Sequence, residues 1–232
     1  MREKKILALI PARGGSKGLK RKNIARLATK PLIVWSIEAA LKSRFISKTL
    51  VSSDDDEILS IAKNHGAQIL KRPKELALDD TPSEAVILDT LRTLEKENEC
   101  YDYLILLQPT SPLRKSEDID AAFTQLFESD ANGVISVYKE EKKILKAFMK
   151  NEEGYIQGVS NNKFPFMPRQ KLPDVYMSNG AIYIIKVAEF LQNEKLLTQK
   201  TIVYEMSKES SLDIDTQADL DKAEVIFTRR NK

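Results

Sequence analysis

Ile6-Leu7-Ala8-Leu9-Ile10 is a continuous apolar run of strand length. A strand with no polar position has to be covered on both faces, which points to a parallel sheet with helices on either side. Directly behind it stands Ala12-Arg13-Gly14-Gly15-Ser16-Lys17-Gly18-Leu19-Lys20-Arg21-Lys22-Asn23, the densest mixture of glycine and cation in the chain. Gly14, Gly15 and Gly18 reach backbone angles closed to other residues, so that consecutive N–H groups can turn inward around an anion. In open α/β sheets ligands bind beyond the carboxyl ends of the strands, where this loop lies. A phosphate cradle is therefore the reading, against the plainer one of a solvated basic turn. The glycines fit neither G-x-G-x-x-G nor G-x-x-x-x-G-K-[ST], so neither a dinucleotide fingerprint nor a Walker loop is supported.

A second buried run, Tyr103-Leu104-Ile105-Leu106-Leu107, leads into Gln108-Pro109-Thr110-Ser111-Pro112-Leu113-Arg114. Two ligand loops would then share one edge of the sheet, with Gln108 and Arg114 offering amide and guanidinium donors to a carboxylate or phosphate. Strands are expected at Thr49–Ser53, Gln68–Leu70, Gly133–Tyr138 and from Ser178 onward. Helix starts are expected at Pro31 in the first helical position, at Asp54-Asp55-Asp56-Glu57 as cap and acidic first turn, at a Thr81-Pro82-Ser83-Glu84 capping box, and at Ser116 as a cap. The stripe Leu32, Trp35, Ala39 and Leu41 would face the sheet. Capping explains the aspartate run better than a metal site does.

Near the end, Asp213 and Asp215 flank Ile214, and in an extended segment both carboxylates point to one face. Such a pair suits a hard cation. The plainer reading caps the last helix with Thr216 and Asp219, which leaves Asp213 unexplained.

Composition narrows the function classes. With 37 Lys+Arg against 34 Asp+Glu, the net charge of +3 is too balanced for a protein whose main partner is a nucleic-acid backbone. One cysteine, Cys100, and one histidine, His65, leave no disulfide, no zinc cluster and no histidine-based triad. His65 precedes Gly66 at an expected helix end. No apolar run reaches membrane-spanning length and no leader pattern opens the chain, so a cytoplasmic location is expected.

The loop spelling Ile10 to Asn23 resembles the opening motif of the CMP-sialic acid synthetases, the acylneuraminate cytidylyltransferases. The resemblance continues through Gln108 to Arg114, Ser178-Asn179-Gly180-Ala181-Ile182-Tyr183-Ile184 and Ser211-Leu212-Asp213-Ile214-Asp215-Thr216. It implies a three-layer, Rossmann-like α/β nucleotidyltransferase fold with a mostly parallel sheet and a protruding dimerisation arm. Residues 1–138 and 178–232 would form the core and 139–177 the arm, which crosses to a second subunit. It implies CMP transfer from CTP to the anomeric hydroxyl of a nine-carbon α-keto acid sugar, without nucleic-acid or membrane partners. Arg13, Lys17, Lys22 and Asp215 would serve catalysis, and Arg13, Ser16, Lys22, Asn23, Arg72 and Ser83 would bind the nucleotide. Gln108, Arg114, Lys146, Arg169 and Tyr183 would bind the sugar. Asp213 and Asp215 would hold Mg²⁺, for which Mn²⁺ can substitute. Leu196 and Leu197 depart from the family, whose members carry paired aromatics there. The spellings around Arg72, Lys146, Arg169 and Tyr183 look closest to the legionaminate branch. An NTP hydrolase and a nucleic-acid binding module using the basic loop are the alternatives.

Overall fold

The structure, a computed structural model, describes residues 4–230. In chain order the elements are β1 (Ile6–Pro11), β2 (Arg26–Leu27), β3 (Lys30–Pro31), α1 (Leu32–Lys42), β4 (Lys48–Ser53), α2 (Asp56–Asn64), β5 (Gln68–Lys71) and α3 (Ser83–Lys96). They continue with β6 (Tyr103–Leu106), α4 (Ser116–Phe127), β7 (Gly133–Glu140), β8 (Phe148–Lys150), β9 (Ile156–Gly158), β10 (Val175–Lys186), α5 (Val187–Asn193), β11 (Thr201–Glu205) and α6 (Gln217–Arg230).

Seven strands form one sheet in the order β11-β7-β10-β6-β1-β4-β5. β1 pairs in parallel with β4 and β6, and only β10 runs antiparallel to its neighbours β6 and β7. The alternation along β1 shows why its sequence is apolar throughout. Ile6, Ala8 and Ile10 face a core shared with α1, α2 and α4, whereas Leu7 and Leu9 face one shared with α3 and α5. A third cluster joins α6 to the start of α1 through Leu27, Leu32, Ile214, Ala223 and Phe227. From β1 the chain winds outward to β4 and β5, then returns to β6 on the other side of β1. The loops after β1 and β6 therefore emerge side by side at the point where the winding reverses.

Four local expectations are corrected. Pro31 is the N-cap of α1, not its first residue, because it pairs with Arg26 in the β2–β3 ladder. Leu41 is exposed, and the buried face of α1 runs instead through Ile33, Val34, Ile37 and Ala40. No capping box opens α3, because Thr81 closes a turn onto the Leu78 carbonyl and Pro82 takes the cap position without a side-chain bond. Ser116 is the first residue of α4, not its cap, and the Asp118 carboxylate accepts from the Lys115 N–H at 2.8 Å.

Other ends follow the sequence. Asp55 caps α2 by accepting from the N–H groups of Glu57 and Ile58, and Gly66 closes that helix at φ +88. Thr216 and Asp219 exchange hydrogen bonds at the start of α6. Between β7 and β10 the chain leaves the sheet to form the β8–β9 hairpin and three short 3₁₀ turns. Tyr155, Ile156 and Phe166 of this arm are 70%, 68% and 82% exposed.

Candidate active site

Three loops close on one another beyond the carboxyl ends of β1 and β6. The Ala12 N–H donates to the Ser52 carbonyl, so the first loop leaves the sheet still paired. Asn23 is buried, and its amide donates to the Arg13 carbonyl at 2.8 Å, which ties the loop's two ends together. Asp54 accepts from the Gly14 N–H at 2.9 Å. A side chain at Gly14 would meet the Asp55 Cβ at 2.9 Å, so glycine is required by a close approach. Farther along, a Cβ at Gly18 would collide with the Asp215 carbonyl oxygen, which means that the glycine loop rests on the backbone of the acidic pair. Lys22 Nζ reaches Asp215 Oδ1 at 2.7 Å across 193 residues of sequence.

The acidic pair is fixed from the other side by the loop after β6, where the Ile214 N–H donates to the Thr110 carbonyl at 2.9 Å while the Ile214 side chain is buried. Desolvation by the surrounding loops pushes the Asp213 carboxyl above its ordinary range although the side chain still reaches solvent. The charge of Asp215 adds to the rise, while Thr110 and Lys22 oppose it.

Arg13 and Lys17 both pair with Asp79, one on each carboxylate oxygen, with Lys17 at 2.7 Å. The hydrogen bonds from these two cations hold the Asp79 carboxyl below its ordinary range. Sequence reasoning missed Asp79. Arg72 is buried, donating to Ser52 Oγ at 3.1 Å and to the Ser52 carbonyl at 2.7 Å. Burial lowers its guanidinium to about 10, assisted by Arg13 and opposed by Asp54 and Asp89, so it remains charged at neutral pH. A surface role for Arg72 is excluded. Ser16, half-buried, lies within the first loop.

Two cavities, of about 580 and 520 Å³, meet at Gln108, Ser178 and Tyr183. The larger adds Ser83 together with an aliphatic wall that includes Ile135, Val137, Leu196 and Leu197. The smaller adds Asp213 and Lys208. Gly180 sits at φ +72, and a Cβ there would strike the Gln108 side-chain oxygen. Tyr183 is mostly buried, which raises its phenol above the ordinary value. Asn179, whose role the sequence did not reveal, fastens this corner. Its amide donates to Ser211 Oγ at 2.8 Å, its side-chain oxygen accepts from Ser136 and its carbonyl accepts from Ser111.

Arg114 is not in either cavity. It is fully buried, and its guanidinium donates to the Ala181 carbonyl at 3.1 Å, to Ser36 Oγ at 2.7 Å and to the Gln108 carbonyl. It braces the loop that carries Gln108. Lys146 and Arg169 stand on the arm and line neither cavity, and Arg169 lies 3.7 Å from Glu141.

The sequence profile of the cytidylyltransferase family matches residues 7–230. The chain belongs to the cytidylyltransferase family. An N-acylneuraminate cytidylyltransferase of Escherichia coli is 35% identical over 98% of the chain, and the chain spans 53% of that relative's length. A pseudaminic acid cytidylyltransferase of Campylobacter jejuni is 32% identical, with 96% of each protein covered. Among solved structures, a CMP:2-keto-3-deoxy-manno-octonic acid synthetase complexed with CTP superimposes with a TM-score of 0.73 at 18% identity, covering 97% of this chain and 99% of that one. A 4-diphosphocytidyl-2C-methyl-D-erythritol synthase superimposes at 0.66 and 11% identity, covering 97% and 99%. These likenesses establish the mostly parallel α/β nucleotidyltransferase fold.

Proposed function

We propose that this chain transfers CMP from CTP to the anomeric hydroxyl of a nine-carbon, sialic-acid-type α-keto acid sugar and releases pyrophosphate. One observation carries the reading: the basic glycine loop is bonded to the acidic pair through Lys22 and Asp215, directly beside the cavity that presents Asp213, Gln108 and Tyr183. Phosphate chain, cation and acceptor would meet there. Arg13, Lys17 and Lys22 take the phosphates, Asn23 holds the loop, and Arg72 and Ser83 bound the nucleotide's base.

A metal fits these residues. Among the described residues no three His, Cys, Asp or Glu side chains cluster, so a cation here would complete its shell with phosphate oxygens and water, as Mg²⁺ does and Mn²⁺ can. Asp213 and Asp215 flank buried Ile214 on an anchored segment, and a divalent cation would relieve the repulsion between their carboxylates. Bound by Asp213 and Asp215, the ion would polarise the α-phosphate and acidify the attacking hydroxyl. The chain's own part is alignment. No protein nucleophile is required: His65 is occupied at the end of α2, its Nδ1 2.8 Å from the Ile61 carbonyl.

The arm supports a homodimer, in which Lys146 and Arg169 would serve a site across the interface. No helix among the described residues is long and apolar enough to cross a membrane, and we place the reaction in the cytoplasm, where CTP is available. The acceptor is of the legionaminic or neuraminic type, a choice supported by the sequence spellings around Arg72, Lys146, Arg169 and Tyr183 and by the likeness to an N-acylneuraminate cytidylyltransferase. Pyrophosphate release from CTP and Mg²⁺ over a panel of nine-carbon α-keto acids tests the reading. Release without any sugar would instead indicate a hydrolase.

A further inference from the structure

Among the described residues that line the larger cavity, one is charged, Glu84. It is a carboxylate in a site that would take two anionic substrates, and no role given above employs it. Glu84 stands in the first turn of α3, half-buried and directly after Ser83, where the helix dipole favours negative charge. Among the described residues none holds its carboxylate in a hydrogen bond or an ion pair. Its charge acts on the cavity all the same: burial raises the Tyr183 phenol, and the charges of Asp213 and Glu84 add to the rise. The rest of the lining is hydroxyl, amide or aliphatic, as at Gln108, Ser178, Ile135 and Leu196.

A carboxylate accepts hydrogen bonds and donates none. On the reading above the anionic parts of both substrates are provided for, the phosphates by Arg13, Lys17 and Lys22 and the acceptor's carboxylate by Lys146 and Arg169 across the interface. Neither anion can lie against Glu84 without repulsion. The remainder of an N-acylated nine-carbon sugar is neutral and rich in donors, its hydroxyls and acylamino N–H. We propose that Glu84 accepts hydrogen bonds from this neutral end of the acceptor, an assignment that rests on the transfer reaction above. It thereby fixes the direction in which the sugar lies, with the anomeric carbon towards the cavity that presents Asp213 and the hydroxyl and acylamino groups in the larger one. Asp213 carries the same sign, but the charge of Lys22 opposes it. Gln108 and Tyr183, which line both cavities, span the junction. A reversed sugar would set its carboxylate beside Glu84, and like charge rejects that pose.

Steady-state kinetics provide the test, with CTP, Mg²⁺, the sugar that the wild type uses best, and analogues of that sugar that each lack one hydroxyl or carry an N-methylated acylamino group. Glu84→Ala should raise KM for the sugar about tenfold, the effect of losing one charge-assisted contact, and Glu84→Gln, which keeps an acceptor oxygen without the charge, about threefold. KM for CTP and the dimer fraction should hold. At least one analogue should show a KM about tenfold above that of the parent sugar in the wild type, yet little further rise in Glu84→Ala, where the contact is already gone. An unchanged sugar KM in Glu84→Ala would overturn the proposal, as would equal analogue penalties in both proteins. A rise in KM for CTP in place of the sugar's would give Glu84 to the base, and a fall in the dimer fraction would make it a partner of the arm; either would overturn the assignment. Failure of the wild type to turn over any nine-carbon α-keto acid would overturn the transfer reading itself, and this assignment with it.

Discussion

At the residue scale the phosphate loop is held in one state by a carboxylate. Arg13 and Lys17 converge on the two oxygens of Asp79, much as they would on two oxygens of a phosphoryl group. On the proposed reading, nucleotide phosphates would compete with Asp79 for the same donors. Asp79→Asn should tighten CTP binding about two- to fivefold by calorimetry, the scale of a partly exposed ion pair; weaker binding would mean that Asp79 orients the cations instead of competing for them. The acidic pair has a separate test. Asp213→Asn and Asp215→Asn should each lower turnover by about a hundredfold or more with little change in melting temperature, and chelation should abolish the wild-type reaction. Full activity in excess chelator would place the chemistry elsewhere. Asp79 was illegible in the sequence because its partners lie 66 and 62 residues away in a polar stretch that reads as plain loop. The burial of Arg114 was illegible for the opposite reason. An arginine at the end of a ligand loop looks available, and the only sequence sign of its burial was Ser36, a polar residue on the apolar face of α1.

At the element scale the buried strands were the most legible features, since continuous apolar runs such as 6–10 and 103–107 have few other uses. Helix starts were less so. Thr, Ser and Pro each fit two adjacent cap positions, and tertiary bonds chose between them: the β2–β3 ladder moved Pro31, and the turn onto Leu78 removed Thr81. Asp55 shows a cap with a pH signature. Burial raises its carboxyl, but the Ile58 and Glu57 N–H groups and Arg21 outweigh that and hold it below the ordinary value of 3.8. Its stabilisation is thus fully present above that value and is lost as pH falls through the depressed one. Asp55→Ala should cost about 1 kcal/mol at neutral pH, with the difference from wild type vanishing in an acid denaturation series once pH has fallen through the depressed value. A difference that persists there would show that α2 is capped by other means. The β10 corner depends on Gly180, whose positive φ and contact with Gln108 were visible in the sequence only as a family spelling. Gly180→Ala should destabilise by about 1–2 kcal/mol and raise the sugar KM by displacing Gln108, while CTP affinity holds. A wild-type sugar KM would separate Gln108 from the acceptor.

At the scale of the whole molecule the arm is the part whose apolar residues the chain itself leaves uncovered. Its hairpin and turns expose Tyr155, Ile156 and Phe166, with Phe148 and Phe166 packed edge to face, on a segment that leaves the sheet between β7 and β10. Apolar surface of this kind marks an interaction site, and the same segment carries Lys146 and Arg169, which line neither cavity of their own chain. A second copy would cover the first feature and employ the second. β7 runs to Glu140 and β10 begins at Val175, so excising residues 139–177 would cut into two sheet strands and confound association with folding. Charge on the exposed face is the cleaner perturbation. Ile156→Glu with Phe166→Glu should leave the melting temperature close to wild type, because neither side chain is buried in the protomer, and should convert a dimer into a monomer by light scattering. If arm cations serve the neighbouring site, turnover should fall in parallel with the dimer fraction and recover at high protein concentration. A wild-type chain that is monomeric and fully active would refute the dimer, and a monomeric variant with wild-type turnover would confine the catalytic site to one chain.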